Sequence, residues 1–179
     1  MNRAIIPLIM LVTGLGLGLL SAQYMMENAS GATPVSNTGW IEIRAGNQDL
    51  QSTYLAGHFL RRGQLPPPKG TRFFARTEDD DGNRLRGDCV VTMEGAFPIA
   101  RWWFVSASSG SSRTALDASD AIRETSGETA VSVSVSPVPG NWLVPPTSGD
   151  YELQLVLLGV SDDVAGVAPT LPRVKRLWC

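Results

Sequence analysis

Apolar and polar residues fall along this chain in three regimes. From Ala4 to Leu20 (AIIPLIMLVTGLGLGLL) there is no charge, from Glu27 to Thr38 small and polar residues dominate, and beyond Trp40 short apolar runs recur between turn signals. The first regime is long enough to cross a hydrocarbon core as a helix, at the short end of that range. Arg3 precedes it and Glu27 is the first acidic residue after it, so the charge asymmetry keeps the N-terminal end in the cytoplasm. A secretory signal has a similar apolar core, so the junction decides between anchor and signal. Leu20-Ser21-Ala22 before Gln23 sets a bulky leucine three back from the best scissile bond, against the small-x-small requirement of cleavage. Residues 1–22 therefore read as an uncleaved, single-pass anchor in the inner membrane, the alternative being a cleaved signal segment, with the remainder in the periplasm. Gly14 and Gly18 have the spacing that lets two membrane helices approach closely, although glycine and leucine also make an ordinary soft apolar stretch.

The second regime, residues 23–38, reads as a flexible linker. Residues 39–179 read as one folded domain. A single short soluble helix is expected near its start: Asp49 is a candidate N-cap, Leu50, Tyr54, Leu55 and Phe59 fall on adjoining helical positions, and Gly63 with Pro66-Pro67-Pro68 ends the run. After it, strands are predicted at Thr71–Thr77, Asp88–Glu94, Arg101–Ser108, Thr129–Ser136, Tyr151–Val160 and Arg173–Trp178. The clearest alternation, Val131-Ser132-Val133-Ser134-Val135-Ser136, puts three valines on one face and three serines on the other. Asp81-Gly82 supplies the positive φ of a tight hairpin turn between the first two strands. Many short strands without long intervening helices imply an all-β sandwich or barrel.

Composition narrows the functional classes. Lys and Arg number 15 against 17 Asp and Glu, a net charge of −2, which leaves no electrostatic footprint for nucleic acid and no polybasic patch. Cys89 and Cys179 are the two cysteines, an even count in a domain placed in an oxidising compartment, and a disulfide between them is expected. No cysteine lies near the end of the apolar segment, which excludes lipid modification there.

Candidate chemistry is sparse. His58 is the single histidine and no serine sits in a Gly-x-Ser-x-Gly elbow, so a hydrolase triad has no base to build on. Thr77, Asp79, Asp81, Gly82 and Asp88 loosely follow a calcium loop, but the first and last positions are wrong and the flanks read as strands, leaving an acidic turn. Neither a metal nor a cofactor is expected. Arg101-Trp102-Trp103-Phe104 sets two indoles on opposite faces of one strand, and Asn141-Trp142-Leu143 with Pro145-Pro146 reads as a rigid loop with an aromatic anchor. Arg101, Trp103, Asn141 and Trp142 are therefore the candidate ligand-binding residues, as aromatic walls with an amide and a cation; packing alone also accounts for them. Ser108–Ser112 reads as a flexible loop without a phosphate-binding pattern.

Several short motifs occur in order: Tyr54 before Gly63 and Leu65-Pro66, then Asp81-x-x-x-Leu85-x-Gly87-x-Cys89, Ala100-Arg101-Trp102-Trp103, Gly140-Asn141-Trp142-Leu143, and Leu171-Pro172-x-Val174 before the terminal cysteine. In these the stretch from Asp49 to Cys179 resembles the bacterial domain-of-unknown-function family 1214. That resemblance implies a jelly-roll-like β-sandwich of the cell envelope, here as a short membrane-anchored version. It also implies a companion envelope protein carrying the 1254-type domain that precedes the 1214 domain in longer chains. It implies no activity, and Phe104-Val105-Ser106-Ala107-Ser108 departs from the family's usual continuation of the tryptophan strand. The expectation is a non-catalytic binding or assembly module. The rivals are a periplasmic enzyme acting on a carbohydrate or similar small substrate through carboxylates such as Asp88, Glu94, Asp117 or Glu128, and a structural spacer.

Overall fold

The computed structural model describes residues 5–28, 32–35, 38–43, 60, 70–123, 125, 127–160 and 170–179. The chain divides into two compact units, Met1–Gly31 with Gly46–Pro66, and Ala32–Ala45 with Pro67–Cys179. Apart from Leu60, the helix expected from Asp49 to Gly63, and His58 with it, lie outside the described residues.

In the first unit, α1 spans Ile5–Asn28. Pro7 is tolerated because it falls in the first turn, where backbone N–H groups have no intrahelical acceptor. The apolar part, Ile5–Tyr24, is 20 residues with a mean hydropathy of 2.2 and is not buried within the protein. At 1.5 Å per residue it is about 30 Å long, the thickness of a hydrocarbon core. Its one hydroxyl in mid-span is satisfied, since Thr13 Oγ1 donates to the Ile9 carbonyl.

The second unit is built of strands. In chain order these are β1 (Ala32–Pro34), β2 (Ile41–Ile43), β3 (Arg72–Arg76), β4 (Val90–Gly95), β5 (Trp102–Ser109), β6 (Ser112–Asp117), β7 (Thr129–Val133), β8 (Asn141–Leu143), β9 (Glu152–Leu158) and β10 (Arg173–Trp178). They form a six-stranded sheet in the order β1-β2-β3-β9-β5-β6 and a four-stranded sheet in the order β10-β4-β7-β8. Every pairing is antiparallel except β7 with β8.

Alternate residues of the two sheets share one core. Trp103, Val105 and Ala107 of β5 and Leu153, Leu155 and Leu157 of β9 belong to the same buried cluster as Val91 and Met93 of β4, Val131 and Val133 of β7, and Val174 of β10. Each large apolar side chain so buried stabilises the fold by roughly 1.5–3 kcal/mol, which is why this β-sandwich-like arrangement follows from the period-2 pattern. Among the described residues the edge strand β10 pairs with β4 alone, and its register shifts between Arg176 and Trp178. That bulge, with Arg173 and Lys175 exposed along the strand, blunts the edge against pairing with another chain.

Five of the six predicted strands are present with ends within two residues, and β10 matches throughout. The serine–valine strand is a correction: β7 ends at Val133, and Val135 is 64% exposed instead of joining the other two valines. Local hydrogen bonds break the alternation there, because the Ser134 hydroxyl donates to the Ser136 carbonyl while the Ser134 carbonyl accepts from the Trp142 indole. Asp81-Gly82 does form a tight turn, with Gly82 at φ 81°. It closes a short local hairpin, with Glu78 opposite Arg84 and the Leu85 N–H donating to the Thr77 carbonyl at 2.9 Å, but β3 and β4 lie in different sheets, so this hairpin sits within a crossover and does not pair those two strands. The tether is also shorter than expected, since α1 continues to Asn28 and Ala32–Pro34 pairs with β2. Asn141–Leu143, expected as a loop, is a strand, and Ser112, expected in a flexible loop, opens β6.

Candidate functional site

Cys89 and Cys179 form a disulfide, with Cα atoms 3.9 Å apart, closing a 90-residue separation. It joins the end of β10 to the residue before β4. The chain-entropy model gives such a loop about 4.6 kcal/mol of stabilisation.

Of the four residues expected to bind a ligand, Trp103, Asn141 and Trp142 are engaged in packing or hydrogen bonds, and Arg101 is exposed. Trp103 is 4% exposed, in the core, with the Phe97 ring 4.5 Å away. Trp102 faces the other side of the sheet and is 40% exposed, as alternation requires. Arg101 is exposed, its stem lying where a Cβ on Gly159 would fall. Asn141 is buried on β8, and its amide donates to the Ile122 carbonyl at 2.7 Å and the Ala130 carbonyl at 2.8 Å while its oxygen accepts from the Ile122 N–H at 2.6 Å. The Trp142 indole donates to the Ser134 carbonyl at 2.9 Å. Asn141 and Trp142 thus clasp the two segments flanking β8.

Other motif residues have equally structural duties. Leu85, Leu143 and Val174 are core, and a Cβ on Gly87 would lie 1.7 Å from the Thr147 carbonyl oxygen, where the two backbones cross. Pro172 accepts the Trp40 indole hydrogen at 2.8 Å. The motifs mark a scaffold.

The carboxylates considered for acid–base work are separately occupied. Asp88 pairs with Arg86 at 2.6 Å and Glu94 with Lys175 at 3.5 Å. Hydrogen bonds from the Ser119 hydroxyl and backbone hold Asp117 below the usual carboxylate range, the wrong direction for a general acid. Among the described residues, no group of three or more His, Cys, Asp or Glu is placed to hold a metal ion.

A concavity that the sequence pattern does not reveal lies where three segments meet: Thr38-Gly39, Arg76 to Gly82, and Thr170 to Arg173. Its volume is about 710 Å³. Arg76, 2% exposed, ties the Thr38 segment to the turn that follows β3. Its guanidinium donates to the Thr38 carbonyl at 2.8 Å and to the Glu78 carbonyl, pairs with Asp80 at 2.7 Å, and lies 5.8 Å over the Trp40 ring. This approach requires glycine at position 39: φ is +65°, and a Cβ there would stand 2.9 Å from Arg76 Nη2. Asp80 in turn pairs with β10, donating its N–H to the Val174 carbonyl at 2.8 Å.

One wall is the turn organised by Asp79. Burial pushes the Asp79 carboxyl up, but hydrogen bonds from the Asn83 backbone and side chain and the Asp81 N–H, with the charge of Arg176, outweigh this and leave it below its ordinary value. Leu171 and Pro172 give an apolar floor, while Glu78 and Arg173 stand exposed at the rim. The cleft therefore offers a carboxylate, a guanidinium and a small apolar surface on a rigid frame, suited to recognition of a small polar group or a partner's side chain. None of Arg101, Trp103, Asn141 and Trp142 lines it.

No protein-family model and no curated protein matches the chain. The fold is similar to that of the VPA0106 protein from Vibrio parahaemolyticus, with a TM-score of 0.52 and 15% identity over 71% of this chain and 35% of that one. An uncharacterised protein from Burkholderia cenocepacia aligns with a TM-score of 0.43 and 14% identity over 60% of this chain and 29% of that one. The chain thus spans about a third of the length of these solved structures. The Vibrio likeness shows the fold alone.

Proposed function

We propose that this chain is a non-catalytic binding or assembly module of the bacterial cell envelope, related to family 1214, with α1 as its membrane anchor and a jelly-roll-like sandwich in the periplasm. The observation that carries the reading is the Arg76 cleft. Its volume of about 710 Å³ falls in the range of small-ligand sites; its internal polar groups are committed to one another, and its exposed charges stand at the rim. The disulfide supports an oxidising compartment, and the 20-residue apolar surface of α1 supports anchoring. A companion protein with the 1254-type domain is the partner that the resemblance implies.

The test is mild cross-linking of the tagged full-length protein in native membranes, followed by mass spectrometry of bound proteins and small molecules. A near-stoichiometric protein or a reproducible small molecule supports the module. Recovery of neither favours a spacer and sets the proposal aside.

A further inference from the structure

We infer that the Arg76 cleft takes a short peptide with free termini, its ammonium group on Glu78 and its carboxylate on Arg173. This rests on the reading of the cleft as a recognition site.

The charges around the cleft single out these two side chains. Five ionisable residues line it: Arg76, Glu78, Asp79, Asp80 and Arg173. Arg76 is neutralised by Asp80 at 2.7 Å, and the Asp79 carboxylate lies 3.3 Å from Arg176. Among the described residues neither Glu78 nor Arg173 has an ion-pair partner, and both are exposed. Glu78 stands on the wall that follows β3 and Arg173 on the wall that opens β10, so two opposite charges border one concavity without meeting. A ligand with a single charge satisfies one of them. A ligand that carries both charges satisfies the pair, through the stronger class of hydrogen bond.

The backbone limits how far apart they stand. The Asp80 N–H donates to the Val174 carbonyl at 2.8 Å, and residues paired in this way have α-carbons about 5.5 Å apart. Glu78 lies two residues before Asp80 and Arg173 one before Val174, which adds at most about 11 Å. The two α-carbons are therefore within about 17 Å of each other, and both side chains are long enough to turn inward. A free amino acid holds its charges across one α-carbon, whereas an extended peptide of two to four residues spreads them over about 7–14 Å. That length suits a cleft of about 710 Å³.

The remaining surface fits such a ligand. Leu171 and Pro172 are buried and give the floor an apolar patch for a small side chain. Gly39, Glu78, Thr170 and Arg173 are exposed, so each of the three segments opens to solvent at the mouth. Every lining residue belongs to the strand unit. The site is complete within it.

The experiment titrates the full-length, disulfide-intact protein in detergent micelles by calorimetry with trialanine, its N-acetylated and C-amidated forms, and alanine. Trialanine is expected to bind, and the two blocked peptides and alanine to bind roughly fivefold or more weakly. Glu78→Gln should abolish the difference between free and acetylated peptide and keep that between free and amidated peptide, and Arg173→Gln should do the reverse. Both side chains are exposed, so neither change disturbs packing. Equal affinity for free and blocked peptides, unchanged discrimination in either variant, or no binding of trialanine overturns the peptide ligand. If membranes nevertheless yield a bound protein or small molecule, the cleft reading stands without it; if they yield neither, both fall.

Discussion

Asn141 separates a scaffold role from a pocket role by one substitution series. Asn141→Ala removes two donated hydrogen bonds and one accepted one, of 2.6 to 2.8 Å, at a residue 7% exposed. At about 1 kcal/mol per bond the loss is about 3 kcal/mol, reduced where water reaches Ile122, itself 66% exposed. Asn141→Asp is nearly isosteric but turns a carboxylate toward the Ile122 and Ala130 carbonyls, so at neutral pH it is expected to fall below the alanine variant. Its folded-state pKa is then raised, and the folded protein binds the extra proton as pH falls. Stability relative to wild type should recover on acidification by about 1.4 kcal/mol for each unit of that shift. Urea unfolding at pH 7 and pH 5, read by tryptophan fluorescence, gives these numbers. Wild-type stability in both variants would refute the clasp and return Asn141 to the list of ligand contacts.

Three further outcomes follow from the same structure. Replacing both cysteines with alanine should lower unfolding free energy by about 4–5 kcal/mol in the chain-entropy model, measurable as a fall in the urea midpoint that reductant reproduces in wild type. Gly39→Ala should destabilise by more than the roughly 1–2 kcal/mol of a left-handed residue, because its methyl meets Arg76. Gly110→Ala, at φ +57° with open space around it, should show only the backbone cost by thermal melting. Asp79 has a lowered folded pKa, so its contribution is full above the unfolded value of about 4 and is lost as pH falls through the folded one. Asp79→Asn should therefore lower stability at pH 7 by about 1 kcal/mol and flatten the acid limb of a pH titration of stability.

Much of the fold is legible because it is local. Alternation is plain at Thr129–Val133, and aromatic or β-branched residues bounded by turn signals make Arg72–Arg76, Trp102–Ser109 and Arg173–Trp178 readable as strands even though Arg72–Arg76 is buried at four consecutive positions; Trp102 and Trp103 divide between the faces of their strand as written. What was not legible depends on partners distant in sequence. Ala32–Pro34 and Asn141–Leu143 are three-residue strands that exist because β2 and β7 lie alongside, and nothing in Ala-Thr-Pro or Asn-Trp-Leu announces pairing. Val135 leaves the valine face because the Ser134 hydroxyl bond to Ser136 and an indole 8 residues on end the strand. The cleft is the extreme case: Thr38, Arg76 and Pro172 are ordinary residues until the fold brings them together. The one local signal was a glycine directly before a buried tryptophan.

The most direct measurement of the central claim places a photo-reactive amino acid at Arg173, on the cleft rim, or at Val135, exposed on another loop, and illuminates intact cells. A discrete adduct at 173 and none at 135 is the predicted result. No adduct at 173, or the same adducts at both positions, would contradict recognition through the cleft.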